Sequence, residues 1–170
     1  SPFLYEGGVC TELESVSVQG KDTDRDEYDD MIILKELFKF ALTKLSRDSH
    51  PGGTVDGRRD DQRKAWTEGV SEFFAADALQ TRYFVNSRPF GVYVVDDLEA
   101  MPSPFSLGIK GAKLSPYLVS AMLWDLADSN NEEFDAVDRL RSGIYDTLFT
   151  YFPSGDYADR GATGVELTDF

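Results

Sequence analysis

The sequence predicts one domain of mainly α class with a small β element (α+β), and three observations support this. The chain has 170 residues, of which 41% are hydrophobic and 13% aromatic, so it is long and apolar enough to bury a core. Apolar residues recur three and four positions apart in several segments, as in amphipathic helices. Only short segments alternate between apolar and polar residues, as half-buried strands do. We therefore expect a single α+β domain spanning 1–170, without internal repeats.

The first predicted elements are a short strand and a long helix. Alternation between Leu13 and Val18 indicates a strand within 9–20. A helix is predicted over 26–47, with an acidic approach that suits the positive end of the helix dipole. Its apolar stripe consists of Tyr28, Met31, Ile32, Phe38, Leu42 and Leu45.

The later elements follow from the same patterns. After a loop over 46–60, apolar spacing predicts a second helix over 63–79, and a strand is predicted over 92–95. Prolines and glycines make 100–111 an irregular loop. Ser115 followed by Pro116 is a capping hydroxyl with proline at the first helical position, so a helix should run from there to about residue 127. A last helix is predicted over 132–151.

Charge and cysteine content exclude several classes of function. A formal net charge of −14 disfavours DNA and RNA as partners, because phosphate binding needs basic patches. No run of 18 apolar residues exists, so no membrane span is expected. Cys10 is the only cysteine and rules out an intrachain disulfide, whereas His50, the only histidine, rules out a histidine-rich metal site.

Two lysines occupy unusual places in the first long helix. At about 100° per residue, Lys35 and Lys39 fall within the apolar stripe rather than on the opposite polar face. Lysine is rarely fully buried unless it is paired. Two interpretations remain open: the ammonium groups extend along their aliphatic stems to solvent, or they point into a cleft and meet carboxylates.

Carboxylates of the second helix are the expected partners. Glu68 and Glu72 are one turn apart and share a face of that helix. Glu68 is either a solvated surface carboxylate or, with Glu36, a partner of Lys35 and Lys39. Glu36, between the two lysines in sequence, is a further partner.

Short motifs along nearly the whole chain carry a family resemblance. They include Asp-Glu-Tyr-Asp-Asp at 26–30, Asp-Gly-Arg-Arg at 56–59, Trp-Thr-Glu-Gly at 66–69 and Phe-Phe-Ala at 73–75. The Gly-rich loop at 51–53 and the segments 121–126 and 164–170 fit the same order. This order resembles the gluzincin-type, bacterial secreted zinc-metallopeptidase-like domains, in which a His-Glu-x-x-His helix precedes a Trp-x-Glu-Gly helix. The resemblance implies a zincin-like fold and export from the cell.

The resemblance assigns roles to individual positions. Lys35 and Lys39 stand where the family has its two histidine ligands, Glu36 matches the general base, and Glu68 matches the third ligand. Trp66 and Glu72 would support the ligands, and Phe38 would add bulk near the site. Protonated lysine has no free electron pair, so the resemblance implies a site that has lost its zinc.

The expected function is therefore that of an inactive metallopeptidase-like domain with a binding or structural role. The former zinc site would be filled by Lys/Glu ion pairs, and the partner would be a peptide or protein. Two alternatives stay open: an active hydrolase with an atypical metal or a lysine base, and a purely structural module. The chain opens without an initiator methionine, so we expect a domain excised from a longer protein.

An acidic run before the first long helix has aspartates at the spacing of calcium ligands. Asp22, Asp24 and Asp26 alternate as oxygen ligands do in calcium loops. An EF-hand would need Gly and Glu where Glu27 and Ile33 stand, so that motif is excluded. A looser calcium site at the three aspartates, or an ordinary acidic helix start, remains.

Overall fold

The computed structural model describes residues 16, 20–21, 24–46, 48, 61–88, 92–100, 115–129 and 140–153. Four α-helices are formed by α1 (Asp30–Leu45), α2 (Gln62–Ala78), α3 (Pro116–Ala127) and α4 (Arg141–Asp146). Two antiparallel strand pairs are formed by β1 (Gly20–Lys21) with β2 (Asp24–Arg25) and by β3 (Tyr83–Arg88) with β4 (Val92–Asp97). The described part is mainly helical with small antiparallel sheets, which confirms the α+β class. None of these helices has the length and apolar character needed to cross a membrane.

Helix α1 begins later than the sequence predicted, because a short 3₁₀ turn (Asp26–Tyr28) precedes it. Asp29 is the capping residue, and its Oδ1 accepts hydrogen bonds from the backbone N–H groups of Met31 at 3.1 Å and Ile32 at 3.3 Å. Placing Tyr28 and Leu45 in the buried stripe was wrong, since their side chains are 77% and 60% exposed. Tyr28 lies before the first helical residue, where the helical period does not apply.

Helix α2 is the centre of the domain. Every residue from Lys64 to Asp77 is buried, and α2 packs against both α1 and α3. A helix enclosed in this way must bury its polar side chains, and these then require partners. Trp66 belongs to the core, together with Val70, Phe73, Phe74, Leu123, Leu148 and Phe152.

Helix α3 starts where the Ser-Pro pair predicted. The Ser115 hydroxyl accepts a hydrogen bond from the Leu118 N–H at 3.4 Å, and Pro116 occupies the first helical turn. Its buried face contacts α2 at Gly69, where a Cβ atom would lie 2.4 Å from the Pro116 carbonyl oxygen. This close approach explains a glycine in the interior of a buried helix, which otherwise costs about 1 kcal/mol relative to alanine.

The strand predicted over 92–95 is observed as Val92–Asp97. It pairs with β3, a strand that was not predicted, to form an antiparallel hairpin. Asp29 attaches this hairpin to α1. Its Oδ2 accepts hydrogen bonds from both the N–H and the hydroxyl of Ser87, each at 2.9 Å. One carboxylate therefore caps α1 with one oxygen and holds β3 with the other.

The chain continues from α4 into a π-helical turn (Thr147–Tyr151). Asp77, near the end of α2, forms an ion pair with Arg141 at 2.9 Å and accepts a hydrogen bond from the Tyr145 hydroxyl at 3.0 Å. Burial and the nearby Asp77 charge raise the pKa of Tyr145, so its hydroxyl keeps its proton. The predicted helix over 132–151 is observed from Arg141 onward. Several predicted segments lie outside the described residues: the first part of this helix, the loops over 49–60 and 101–111, and most of the strand over 9–20.

Candidate functional site: a buried lysine–glutamate network

The site lies between α1 and α2, and the helical period determines its composition. Lys35 and Lys39 are four residues apart on α1, and Glu68 and Glu72 are four apart on α2, so each pair shares one helix face. Packing of α1 against α2 brings these two faces together. Glu36 joins the cluster from α1 itself.

The five side chains form an alternating series of charges. Lys35 Nζ lies 2.8 Å from Glu72 Oε1 and 2.9 Å from Glu68 Oε2. Lys39 Nζ lies 3.1 Å from Glu68 Oε1 and 2.6 Å from Glu36 Oε1. Glu68 thus bridges both lysines with its two oxygens. Reading from one end, the order is Glu72, Lys35, Glu68, Lys39 and Glu36.

The low exposure of the network decides the choice left open by the sequence, since four of its five residues are buried and the Lys35 side chain is 12% exposed. Lys39 is only 4% exposed, and Glu36, Glu68 and Glu72 are buried as well. The alternatives of lysines reaching to solvent and of a solvated Glu68 were therefore wrong. Ion pairs removed from water are much less screened than surface pairs, and each member depends strongly on its partners.

The charged groups of the network are unequal in number among the described residues. There, three carboxylates and two ammonium groups take part in its ion pairs. Glu36 is the least satisfied member, because its Oε2 is buried without a hydrogen-bond partner in the described part of the chain. Glu36 and Glu72, at the two ends, each have one lysine, whereas Glu68 has two.

The electrostatic surroundings differ between Lys35 and Glu72. Burial alone would lower the pKa of Lys35, but the charges of Glu68 and Glu72 and its hydrogen bonds to them outweigh burial and raise that pKa above its ordinary value. Burial raises the pKa of Glu72; Lys35 opposes the shift, and the charges of Glu68 and Asp96 add to it. Lys35 therefore stays an ammonium at neutral pH, whereas burial makes the ionised form of Glu72 less favourable.

Glu72 should make folding less favourable as the pH rises. The folded protein holds the Glu72 proton more tightly than the unfolded chain does. Protonated Glu72 therefore contributes fully to stability below the ordinary glutamate pKa, and this contribution is lost as the pH rises through the raised pKa of the folded state. Glu72→Gln removes this term while its amide oxygen still accepts from Lys35. We expect the stability of the variant relative to wild type to improve as the pH rises above the ordinary glutamate pKa, measured by urea unfolding over a series of pH values. Parallel pH profiles of the two proteins would contradict this expectation.

The β3–β4 hairpin covers one side of the network. Lys35 Nζ lies 5.4 Å from the centre of the Phe84 ring, close enough for a cation–π contact. Phe84 and Asp96 were not predicted as neighbours of the site. The aromatic and β-branched run at 83–85 was the signal for the missed strand.

Other side chains near the site in sequence have different roles. The Phe38 ring stacks on Phe74 with centroids 4.7 Å apart, so it is part of the aromatic packing between α1 and α2. Thr67, beside Glu68, donates a hydrogen bond to Asp48, which connects α2 to the loop after α1. This contact was also not predicted.

The side chains at the site do not fit a zinc ion. Zinc needs ligands with a free electron pair, whereas Lys35 is held protonated by two carboxylates and Lys39 forms ion pairs with Glu36 and Glu68. Within the described ranges no group of three or more His, Cys, Asp or Glu residues has an arrangement suited to a metal. Of the three aspartates considered for calcium, Asp22 lies outside those ranges.

Comparisons with protein-family models, with curated proteins and with solved structures found no match to this chain.

Proposed function

We propose that this chain is an inactive metallopeptidase-like domain of zincin-like fold, in which a Lys/Glu network replaces a catalytic zinc site. Its role is binding of a peptide or protein, or architecture, within an exported protein. The observation that carries the proposal is the convergence of Lys35 and Lys39 on Glu68. Two side chains four apart on one helix meet a glutamate of the next helix, as two histidines and a glutamate do in an open catalytic zinc site.

The charges support a replacement of the metal rather than an unrelated ion-pair cluster. Two ammonium groups bring the same formal charge as one Zn²⁺ ion, and Glu68 contacts both of them. The carboxylates of a zinc site would otherwise be buried without a cation, which is costly. Substitution of both histidines by lysine keeps the cleft folded without the metal.

A hydrolase that uses a lysine base is less well supported. A lysine acts as a base when burial lowers its pKa toward neutrality. The pKa of Lys35 is raised instead, because two carboxylates stabilise the ammonium form. A purely structural module corresponds to the architectural role alone, without a binding partner.

Reversal of the two substitutions tests the proposal. Lys35→His together with Lys39→His recreates His-Glu-x-x-His opposite Glu68, so the double variant should bind zinc with micromolar or tighter affinity. Without metal it should be less stable than wild type, because three buried carboxylates lose their cations, and zinc should restore its melting temperature. Calorimetric titration and thermal unfolding with and without zinc give the two measurements, and wild type should contain far less than one zinc per chain.

Two control variants isolate the site geometry. Adding Glu68→Ala to the double variant should weaken zinc binding, because the third ligand is lost. Phe40→His with Lys44→His places two histidines four apart on the outer face of α1 and measures what a histidine pair binds alone. A folded double variant that takes up no zinc, or binds it no better than this control, would refute the inferred site ancestry.

A further inference from the structure

An apolar stripe runs along the side of α1 that faces away from α2. Leu37 is 49% exposed at its centre, and Ile33 and Ala41 lie one turn to either side, within about 40° of it around the helix axis. Phe40 flanks the stripe and is partly exposed. The buried side chains Met31, Glu36, Lys39 and Leu42 point to the opposite side, toward α2 and the core.

Two charged residues close this outer stripe at its ends. Asp30 and Lys44 are both exposed and each lies seven residues from Leu37, about two helical turns and about 10 Å along the axis. Both fall within about 20° of Leu37 around the helix. Neither forms an ion pair within the described part of the chain. The stripe thus carries a negative end and a positive end at equal distances from an exposed leucine.

When two copies of this stripe lie antiparallel, the negative end of each faces the positive end of the other. We infer that the outer stripe of α1 (Asp30, Ile33, Leu37, Ala41 and Lys44, with Phe40 beside it) is a homodimer contact with a two-fold axis at Leu37. Asp30 of one copy then faces Lys44 of its partner, and this pair occurs twice. A two-fold interface uses the same patch on both subunits, which requires such internal complementarity.

The expected affinity follows from the size and charge of the contact. One helix face per partner is smaller than the roughly 800 Å² per partner of a standard stable interface. The net charge of −14 on each chain also opposes association, although physiological salt screens most of it. A weak dimer that depends on concentration is therefore expected. This inference does not depend on the proposed loss of zinc.

Charge-reversal variants mixed in solution test the antiparallel pairing. Sedimentation velocity of wild type from about 10 µM to about 1 mM should show the mass rise from the 19.0 kDa monomer toward twice that value. Asp30→Lys alone and Lys44→Asp alone each place like charges at both ends and should weaken the dimer about tenfold. An equimolar mixture of the two variants restores both opposite-charge pairs and should recover dimerisation.

Controls separate the contact from general charge effects. Glu27→Lys, outside the stripe, makes the same change in net charge as Asp30→Lys and should not weaken the dimer, whereas Leu37→Asp at the axis should abolish it over this concentration range. Circular dichroism of each variant verifies folding. Wild type that stays monomeric at the highest concentration, a dimer that is insensitive to Leu37→Asp, or a mixture that fails to recover dimerisation would each overturn the inference.

Discussion

Lys39→Met should destabilise the domain by about 3–5 kcal/mol, the range expected when one partner of a buried ion pair is removed. Methionine preserves most of the length and apolar volume of the side chain, so the loss is mainly that of the ammonium group. Within the described network, Glu36 then loses its lysine, and Glu68 retains its ion pair with Lys35. Because small domains are stable by about 5–15 kcal/mol, urea unfolding should show a large shift of the midpoint.

A matched variant and a second substitution make the Lys39 result specific. Lys44→Met changes an exposed lysine of the same helix and should cost less than about 1 kcal/mol. Glu36→Leu added to Lys39→Met removes the carboxylate left without a partner, while Glu68 still pairs with Lys35. The double variant should therefore be more stable than Lys39→Met alone. Equal or greater destabilisation would show that the network does not act as described.

Gly69→Ala should destabilise the domain by about 3 kcal/mol, at the upper end of the overpacking range. The added Cβ would lie 2.4 Å from the Pro116 carbonyl oxygen, 2.6 Å from the Val119 Cβ and 2.9 Å from its Cγ1, so α2 and α3 must separate. On helix propensity alone the same substitution would stabilise by about 1 kcal/mol, so packing and propensity predict opposite signs. Urea unfolding of the variant decides between them.

Gly143→Ala is the control for this substitution. Gly143 is also helical, but a Cβ there meets no atom within 4 Å, so alanine should stabilise the domain by about 0.5–1 kcal/mol. Val119→Ala added to Gly69→Ala should recover only part of the loss, because the Pro116 oxygen belongs to the backbone. A neutral or stabilising Gly69→Ala would mean that α2 and α3 are not in close contact at this point.

The features that could be predicted from the sequence are those that depend on neighbouring residues of the chain. The start of α3 follows from Ser115 and Pro116, whose capping geometry involves only neighbouring residues. The burial of Lys35 and Lys39 follows from the helical period, since it places them among apolar side chains. The ion pairs of both lysines with Glu68, and of Lys39 with Glu36, agree with the interpretation in which the ammonium groups point inward and meet carboxylates.

The remaining features depend on how elements are placed relative to one another. Direct pairing of Lys35 with Glu72 requires a particular offset of α1 along α2, and no local pattern specifies that offset. Strand β3 was missed because its Asn and Ser interrupt the apolar alternation. The covering of Lys35 by Phe84 depends in turn on Asp29, whose second oxygen holds β3 to the start of α1.

The alternating order of Glu72, Lys35, Glu68, Lys39 and Glu36 also constrains how this chain can diverge. Among the described residues, a mutation at one of the two lysines leaves an end carboxylate without its lysine, and a mutation at Glu68 removes one ion pair from each lysine. Each single step therefore passes through a less stable intermediate, whereas paired changes need not. The five positions should therefore change together during evolution, and a related sequence that lacks one of them should carry a compensating change at another.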